Sequence, residues 1–292
     1  MKSIFNFLFT LLCSMSAYAV NDVEVIQVKD NIHVLISPAG GNVVVSTGED
    51  GTFLIDDQLA GRTEIIRTAA KDISQQDIKF VLNTHYHFDH TGGNEVLGEQ
   101  DAIIVAHDNV RQRLSTKQFI TYFGREMLPL HKKGLPTVTF TDYMTLHYNN
   151  DEIRLIHTPG AHTDGDSVAI FTKANVIVAG DILFKGRYPF IDTEHGGTIT
   201  GLIKSINLLV SMADADTVVI PGHGTLMDKQ GLQEFGDMLK TVTKNVESLK
   251  NAGKTLEQVI AEKPSLTFDT ELGNSLIPPN DFVTTIYETL GQ

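Results

Sequence analysis

Cysteine is almost missing from this chain: 292 residues contain one, Cys13, and it sits in the apolar N-terminal run. A chain without further thiols forms no intramolecular disulfide, and any metal site in it must be built from histidine and carboxylate ligands. No Lys/Arg-rich run occurs anywhere, and 23 Lys+Arg against 36 Asp+Glu give a formal net charge of -13. Nucleic acid and anionic membrane surfaces, which need clustered positive charge, are therefore excluded as main partners. No apolar run approaches the length needed to cross a hydrocarbon layer of about 30 Å. No G-x-x-x-x-G-K-[ST] pattern is present, and Gly40-Gly41 ends a turn with no helix behind it, so nucleotide-phosphate cradles are absent too. There is also no short-period repeat, no low-complexity tract and no interdomain linker. What remains is 41% hydrophobic with 24 Gly and 9 Pro, the composition of a globular protein whose partner is a small molecule.

The first residues read as a targeting segment. Lys2 gives a positive start, Ile4 to Cys13 form an apolar run broken only by Asn6 and Thr10, and Ala17-Tyr18-Ala19 is a small-x-small cleavage site. Residues 1–19 are thus expected to be a secretory signal peptide and 20–292 a single exported domain, periplasmic or secreted, with no stable membrane insertion after cleavage. Leu11-Leu12 ahead of Cys13 lack the small residue that lipid attachment would require.

Strands and helices interleave along the rest. Val23 to Val28, Ile32 to Ile36, Asn42 to Ser46 and Thr52 to Ile55 are β-rich runs separated by turn residues, an antiparallel meander. Helical periodicity over Glu64 to Ser74 leads to a buried strand, Ile78 to Leu82. Further strands are expected at Ala102 to Val105, Met144 to Tyr148, Glu152 to His157, Ser167 to Thr172, Asn175 to Val178 and Thr217 to Ile220. Asn149-Asn150-Asp151 makes a hairpin turn. Helices are expected at Gly201 to Met212, Leu232 to Ala252, Leu256 to Lys263 and Asp281 to Leu290. The class is α/β (α+β), two sheets covered by helices.

The chemistry is concentrated in Thr84-His85-Tyr86-His87-Phe88-Asp89-His90-Thr91-Gly92-Gly93-Asn94, directly behind the apolar strand. In an extended stretch residues two apart point the same way, so His85 and His87 can offer imidazoles to one ion. Asp89 and His90 fall where the chain turns and can face a second point nearby, and Gly92-Gly93 permit a close backbone path. Three more polar residues sit at strand ends, where loops place functional groups: His162 in Pro159-Gly160-Ala161-His162, Asp181 after the strand through Gly180, and His223 in Pro221-Gly222-His223-Gly224.

In this order, H-x-H-x-D-H, then His, then Asp, then His, the sequence resembles the metallo-β-lactamase superfamily, from about Val23 to His223. The resemblance implies an αββα sandwich with the site at one edge between the sheets, and a hydrolase using two zinc ions. It implies that His85, His87 and His162 ligate one zinc, that Asp89, His90 and His223 ligate the other, and that Asp181 bridges both. Asp56 matches an acidic residue behind the ligands. Two such ions share a water and lower its pKa toward 7, which supplies a nucleophile for a carbonyl, with Asp89 placed to orient it or shuttle its proton.

Members that cleave β-lactams usually carry Cys or Ser at the position of Asp181, whereas glyoxalase II-like thioesterases and lactonases carry the Asp. Glyoxalase II members, for their part, need a basic C-terminal surface for glutathione and work in the cytosol, while this chain is mixed in charge after His223 and carries an export signal. A β-lactam amide is the first substrate expected, with a lactone or thioester as the alternative. Iron-dependent sulfur dioxygenase chemistry and non-catalytic metal binding are the other classes the ligand set admits. Lys185 and Arg187, just beyond Asp181, are candidates to hold a substrate carboxylate. The stretch Phe119 to Leu130 reads either as a lid or as core.

Overall fold

The computed structural model describes residues 17–20 and 22–291; Lys2 and the apolar run of the expected signal peptide lie outside the described residues. The chain first lays down β1 (Ala17–Val20), β2 (Val23–Lys29), β3 (Ile32–Ile36), β4 (Val43–Ser46) and β5 (Thr52–Ile55), each antiparallel to the one before. Helix α1 (Thr63–Ser74) crosses over to β6 (Ile78–Leu82), parallel to β5, and α2 (Asn94–Glu99) leads on to β7 (Ile103–His107), parallel to β6. After α3 (Asp108–Leu114) a separate hairpin, β8 (Gln118–Ile120) and β9 (Arg125–Met127), precedes β10 (Val138–Phe140). β10 pairs with β7 and completes an eight-stranded sheet.

The second sheet has five strands: β11 (Tyr143–Tyr148), β12 (Asp151–His157), β13 (Ser167–Phe171), β14 (Val176–Phe184) and, after α4 (Ile199–Met212), β15 (Val218–His223). Asn149 and Asn150 take the left-handed φ values, 50° and 60°, that a two-residue hairpin turn requires between β11 and β12. Helices α5 (Lys229–Asn251), α6 (Leu256–Ala261), α7 (Leu266–Leu272) and α8 (Pro279–Thr289) follow.

Period-two alternation sorts the strand residues into layers. Val34, Val44, Phe53, Ile55, Leu82 and Val105 point between the sheets and meet Ile153, Leu155, Phe171, Val178 and Ile220. Their neighbours Leu35, Val43, Val45, Leu54, Val81 and Ile104 point outward onto Ile66, Ala69 and Ala70 of α1 and Leu97 of α2. On the far side, Val168, Ile177, Ala179 and Val219 meet Leu202, Ile206 and Leu209 of α4 and Leu239 and Val242 of α5. The result is the four-layer αββα arrangement expected from the motif. Phe171 in the middle layer has no exposed surface, and its truncation to Ala would cost about 3–5 kcal/mol.

Three expectations need revision. The strand expected to end near Val178 runs on to Phe184 and contains Asp181, because Ile182, Leu183 and Phe184 continue its burial past register shifts at Gly180. His223 is likewise the last residue of β15 rather than part of a following loop. The short helices α2, α3 and α7 were not anticipated, being too brief to show a helical period.

Candidate metal centre

The strand β6 delivers its polar loop in a fixed direction because the loop's two ends are tied together. Asn83 and Asn94 exchange side-chain amide bonds of 3.0 and 2.9 Å. Thr84 donates its backbone N–H and its hydroxyl to the two oxygens of Asp56 at 2.7 and 2.8 Å. The turn itself is closed by His90 N–H and Thr91 N–H donating to the carbonyl of His87, which swings Asp89 and His90 round to a second face. Gly92 has no room for a Cβ, which would collide with the backbone of Gln58 to Ala60.

The fold gathers the ligand candidates into two adjoining groups: His85, His87, His162 and Asp181, and Asp89, His90 and His223. Asp181 lies within reach of both, with Oδ2 3.9 Å from His85 Nε2 and 3.7 Å from His162 Nε2, Oδ1 3.1 Å from His90 Nε2, and Oδ2 3.3 Å from His223 Nε2. Gly222 permits this placement, since a Cβ there would strike Asp181 Oδ1. Asp89 Oδ2 stands 3.3 Å from His223 Nε2, and Phe184 stacks on the His223 ring at 5.6 Å.

The tautomers are set from behind. His87 Nε2 faces Asp192 Oδ2 at 2.9 Å, His162 Nδ1 faces the Phe190 carbonyl at 2.8 Å, and His90 Nδ1 faces Asp56 Oδ2 at 2.7 Å. His85 Nδ1 faces the Thr84 hydroxyl, whose own proton goes to Asp56. Every one of these partners accepts, so each ring carries a proton on its outer nitrogen and the inner nitrogen is the one left to face an ion.

Inside, His87 Nδ1 is 3.1 Å from His85 Nε2 and 2.9 Å from His162 Nε2, contacts between lone pairs that only a cation makes favourable. Imidazoles about 2.0–2.1 Å from a tetrahedral metal stand roughly 3.3 Å apart, so the donor set fits one. Asp181 Oδ1, buried and without a hydrogen-bond partner, fits the same reading.

Electrostatics divide the two groups. Burial holds His85 well below the usual imidazole range and His162 down to about 4, so both are neutral. Burial also opposes a charge on His90 and His223, but Asp181 and Asp89 outweigh it. His90 is raised well above its usual value, with Asp56 contributing, and His223 to about 9. Burial likewise disfavours the carboxylate of Asp89, yet His90 and His223 bring it down to about 2.

Arg187 lines the cavity over these groups, a space of about 230 Å³. Lys185 does not: it is exposed and faces a separate surface groove beside Ala215, Leu226 and Met227, because β14 ends at Phe184 and the chain turns outward there. In the stretch 119–130, Phe123 lines the cavity, while Phe119, Tyr122 and Leu128 are exposed, so the hairpin β8–β9 stands over the site.

Sequence reasoning missed the residues behind the ligands. Buried Asp192 receives His87, the Tyr86 hydroxyl at 2.6 Å and His195 Nδ1 at 2.7 Å; nothing in Pro189-Phe190-Ile191-Asp192 signals a contact with a histidine 105 positions earlier. Asp166 grips the His162 loop through the N–H groups of His162 and Thr163 at 2.6 and 2.8 Å, and its spacing from His162 is a turn signal that could have been read.

Residues 35–223 match the model of the metallo-beta-lactamase superfamily. A probable metallo-hydrolase of Methanocaldococcus jannaschii is 29% identical over 194 residues, 64% of this chain and 85% of that one. The hydroxyacylglutathione hydrolase of Rhodospirillum rubrum is 28% identical over 172 residues, 58% of this chain and 56% of its own. Among solved structures, a metallo-beta-lactamase from Pontibacter korlensis superposes with a TM-score of 0.59 at 18% identity, over 78% of this chain and 99% of that one. With the family model spanning most of the chain and the histidine and aspartate groups gathered at one sheet edge, the protein belongs to the metallo-β-lactamase superfamily of metallo-hydrolases.

Proposed function

We propose that the protein is an exported dinuclear zinc hydrolase acting on a small carbonyl substrate. The observation that carries this is Asp181, whose carboxylate reaches His85 and His162 on one side and His90 and His223 on the other. His85, His87 and His162 would hold one ion and Asp89, His90 and His223 the other, with Asp181 shared. Histidine and carboxylate donors without thiolate suit zinc, and also iron. When bound, a zinc pair supplies a water of lowered pKa and a Lewis acid for the carbonyl oxygen.

The chain's own residues do the rest. Asp89, partly open to the cavity and anionic, orients the attacking water; its low pKa makes it a better acceptor of a hydrogen bond than a store for a proton. Arg187 is the cation available in the cavity for a substrate carboxylate. Phe88, Phe123 and Phe190 keep bulk water from the carbonyl. A β-lactam amide is the first substrate class, and a lactone or thioester is the second, which the carboxylate at position 181 favours. Export rests on Lys2, the apolar run and Ala17-Tyr18-Ala19.

Elemental analysis of protein purified from its own compartment, followed by a panel of β-lactam, lactone and thioester substrates, tests the proposal. About two zinc per chain and turnover on the panel are expected. Iron in place of zinc, or fewer than one metal after reconstitution, would overturn it.

A further inference from the structure

The cavity over the metal centre shares two wall residues, Phe190 and Ile277, with a second space of different character. Away from the ligands its wall is Phe88, Phe123, Phe190, Leu276 and Ile277. Phe190 lies 5.9 Å from the His87 ring and 5.8 Å from the His162 ring, then 4.9 Å from Phe123 and 5.3 Å from Tyr122. Its far side, with Ile277, also lines a groove of about 350 Å³ between the hairpin β8–β9, the segment 189–194 and α8. The rings of Phe190, Phe123 and Tyr122 therefore stand in contact between the metal ligands and that groove. Ile120, Pro189 and Ile191 continue it, and the hydroxyls of Thr284 and Thr285 are taken up by carbonyls of their own helix, which leaves their methyl groups for the groove.

Charge narrows what fits. Among the described residues, the groove's charged lining includes Asp192, Glu194 and Asp281 and no Lys or Arg. Several of these carboxylates already serve the fold: Asp281 accepts from the Tyr122 hydroxyl at 2.7 Å, Glu194 from Thr121 N–H, and Asp192 holds His87. An anionic arm would meet repulsion there with no cation to offset it. At the rim, Leu276 and Tyr122 are 58% and 43% exposed, open for large side chains beside a site.

We propose that the substrate carries an uncharged apolar arm on its carbonyl, an acyl chain or ring that crosses the face of Phe190 into the groove between the β8–β9 hairpin and α8. This rests on the hydrolase reading for what happens at the carbonyl and goes beyond it in assigning the arm. Ile277 and the hairpin aromatics set arm-length specificity. Thioesters whose acyl arm ends in a carboxylate are poor substrates.

Zinc-loaded protein is assayed with thioesters of a neutral thiol bearing acetyl, butanoyl, hexanoyl and octanoyl groups, beside one of the same thiol whose acyl arm ends in a carboxylate. Each methylene that enters the groove is worth about threefold in kcat/KM, so octanoyl should exceed acetyl by at least about a hundredfold. Ile277→Asp should flatten that series in protein that keeps its metal content. Thr285→Lys, on the half-exposed face of α8, should instead improve cleavage of an arm ending in a carboxylate. A flat series in the unaltered protein, or preference for the arm ending in a carboxylate, overturns the inference. If no thioester is cleaved, calorimetric binding of methyl alkyl ketones decides. Affinity that rises with chain length sustains the groove while the thioester reading fails, and absent or length-independent binding overturns the groove itself.

Discussion

The two ligand groups sit side by side and share Asp181, yet they meet a metal ion under opposite conditions. His85, His87 and His162 lie deep, 1 to 4% exposed, and burial keeps the rings of His85 and His162 neutral. His223 and Asp89 stand at the mouth, 15 and 16% exposed, and His90 and His223 are charged by the carboxylates around them. Carboxylates make the difference: each one that raises a histidine's affinity for metal also raises its affinity for a proton. The deep group is prepared for a cation, and the outer group must first give up protons.

Removing what the groups share should have the largest effect. Asp181→Ala takes a ligand from both, so at least one metal equivalent should be lost by elemental analysis and activity should fall by about a hundredfold or more. Full metal content and activity would make Asp181 a structural residue only. Next come changes that separate the groups. Asp192→Ala releases His87, and Asp56→Ala releases His90. Each should weaken metal binding on its own side by about 10- to 100-fold, read by chelator competition, with the Asp56 change also loosening Thr84.

Acidity should sharpen the contrast further. Below pH 9, ions entering the outer group displace protons, so that affinity should fall by about tenfold per pH unit for each proton released, while His162 in the deep group releases none above about pH 5. In the metal-free protein the sign follows linkage. The raised pKa of His223 gives stability that is fully present below about pH 6.5 and is lost as pH rises through about 9. The depressed His162 acts in the other direction, its contribution being lost as pH falls from about 6.5 through about 4. Thermal melts of metal-free protein across pH 4 to 10 would show both limbs. The smallest effects concern substrate. Arg187→Ala should raise KM for a carboxylate-bearing substrate by about tenfold, and Lys185→Ala should leave it unchanged.

The motif was legible because two histidines two apart, directly behind the strand ending at Leu82, can share a face, and the turn that follows carries Asp89 and His90 away from it. The layers were legible because Val34, Val44, Phe53 and their neighbours alternate. Asp192 was not legible, since its contact with His87 depends on how two distant loops meet. Nor was the outward path of Lys185, which follows from β14 continuing through Asp181, a polar residue that reads as a strand's end. The hairpin β8–β9, three residues a strand, is too short for any period to show.

The central claim is one dinuclear centre built around Asp181, and anomalous scattering from crystals of the zinc-loaded protein tests it most directly. The expected result is two zinc peaks about 3.5–4 Å apart, one among His85, His87 and His162, the other among Asp89, His90 and His223, with the Asp181 carboxylate touching both. A single peak, or two peaks with Asp181 bound to neither, would contradict it.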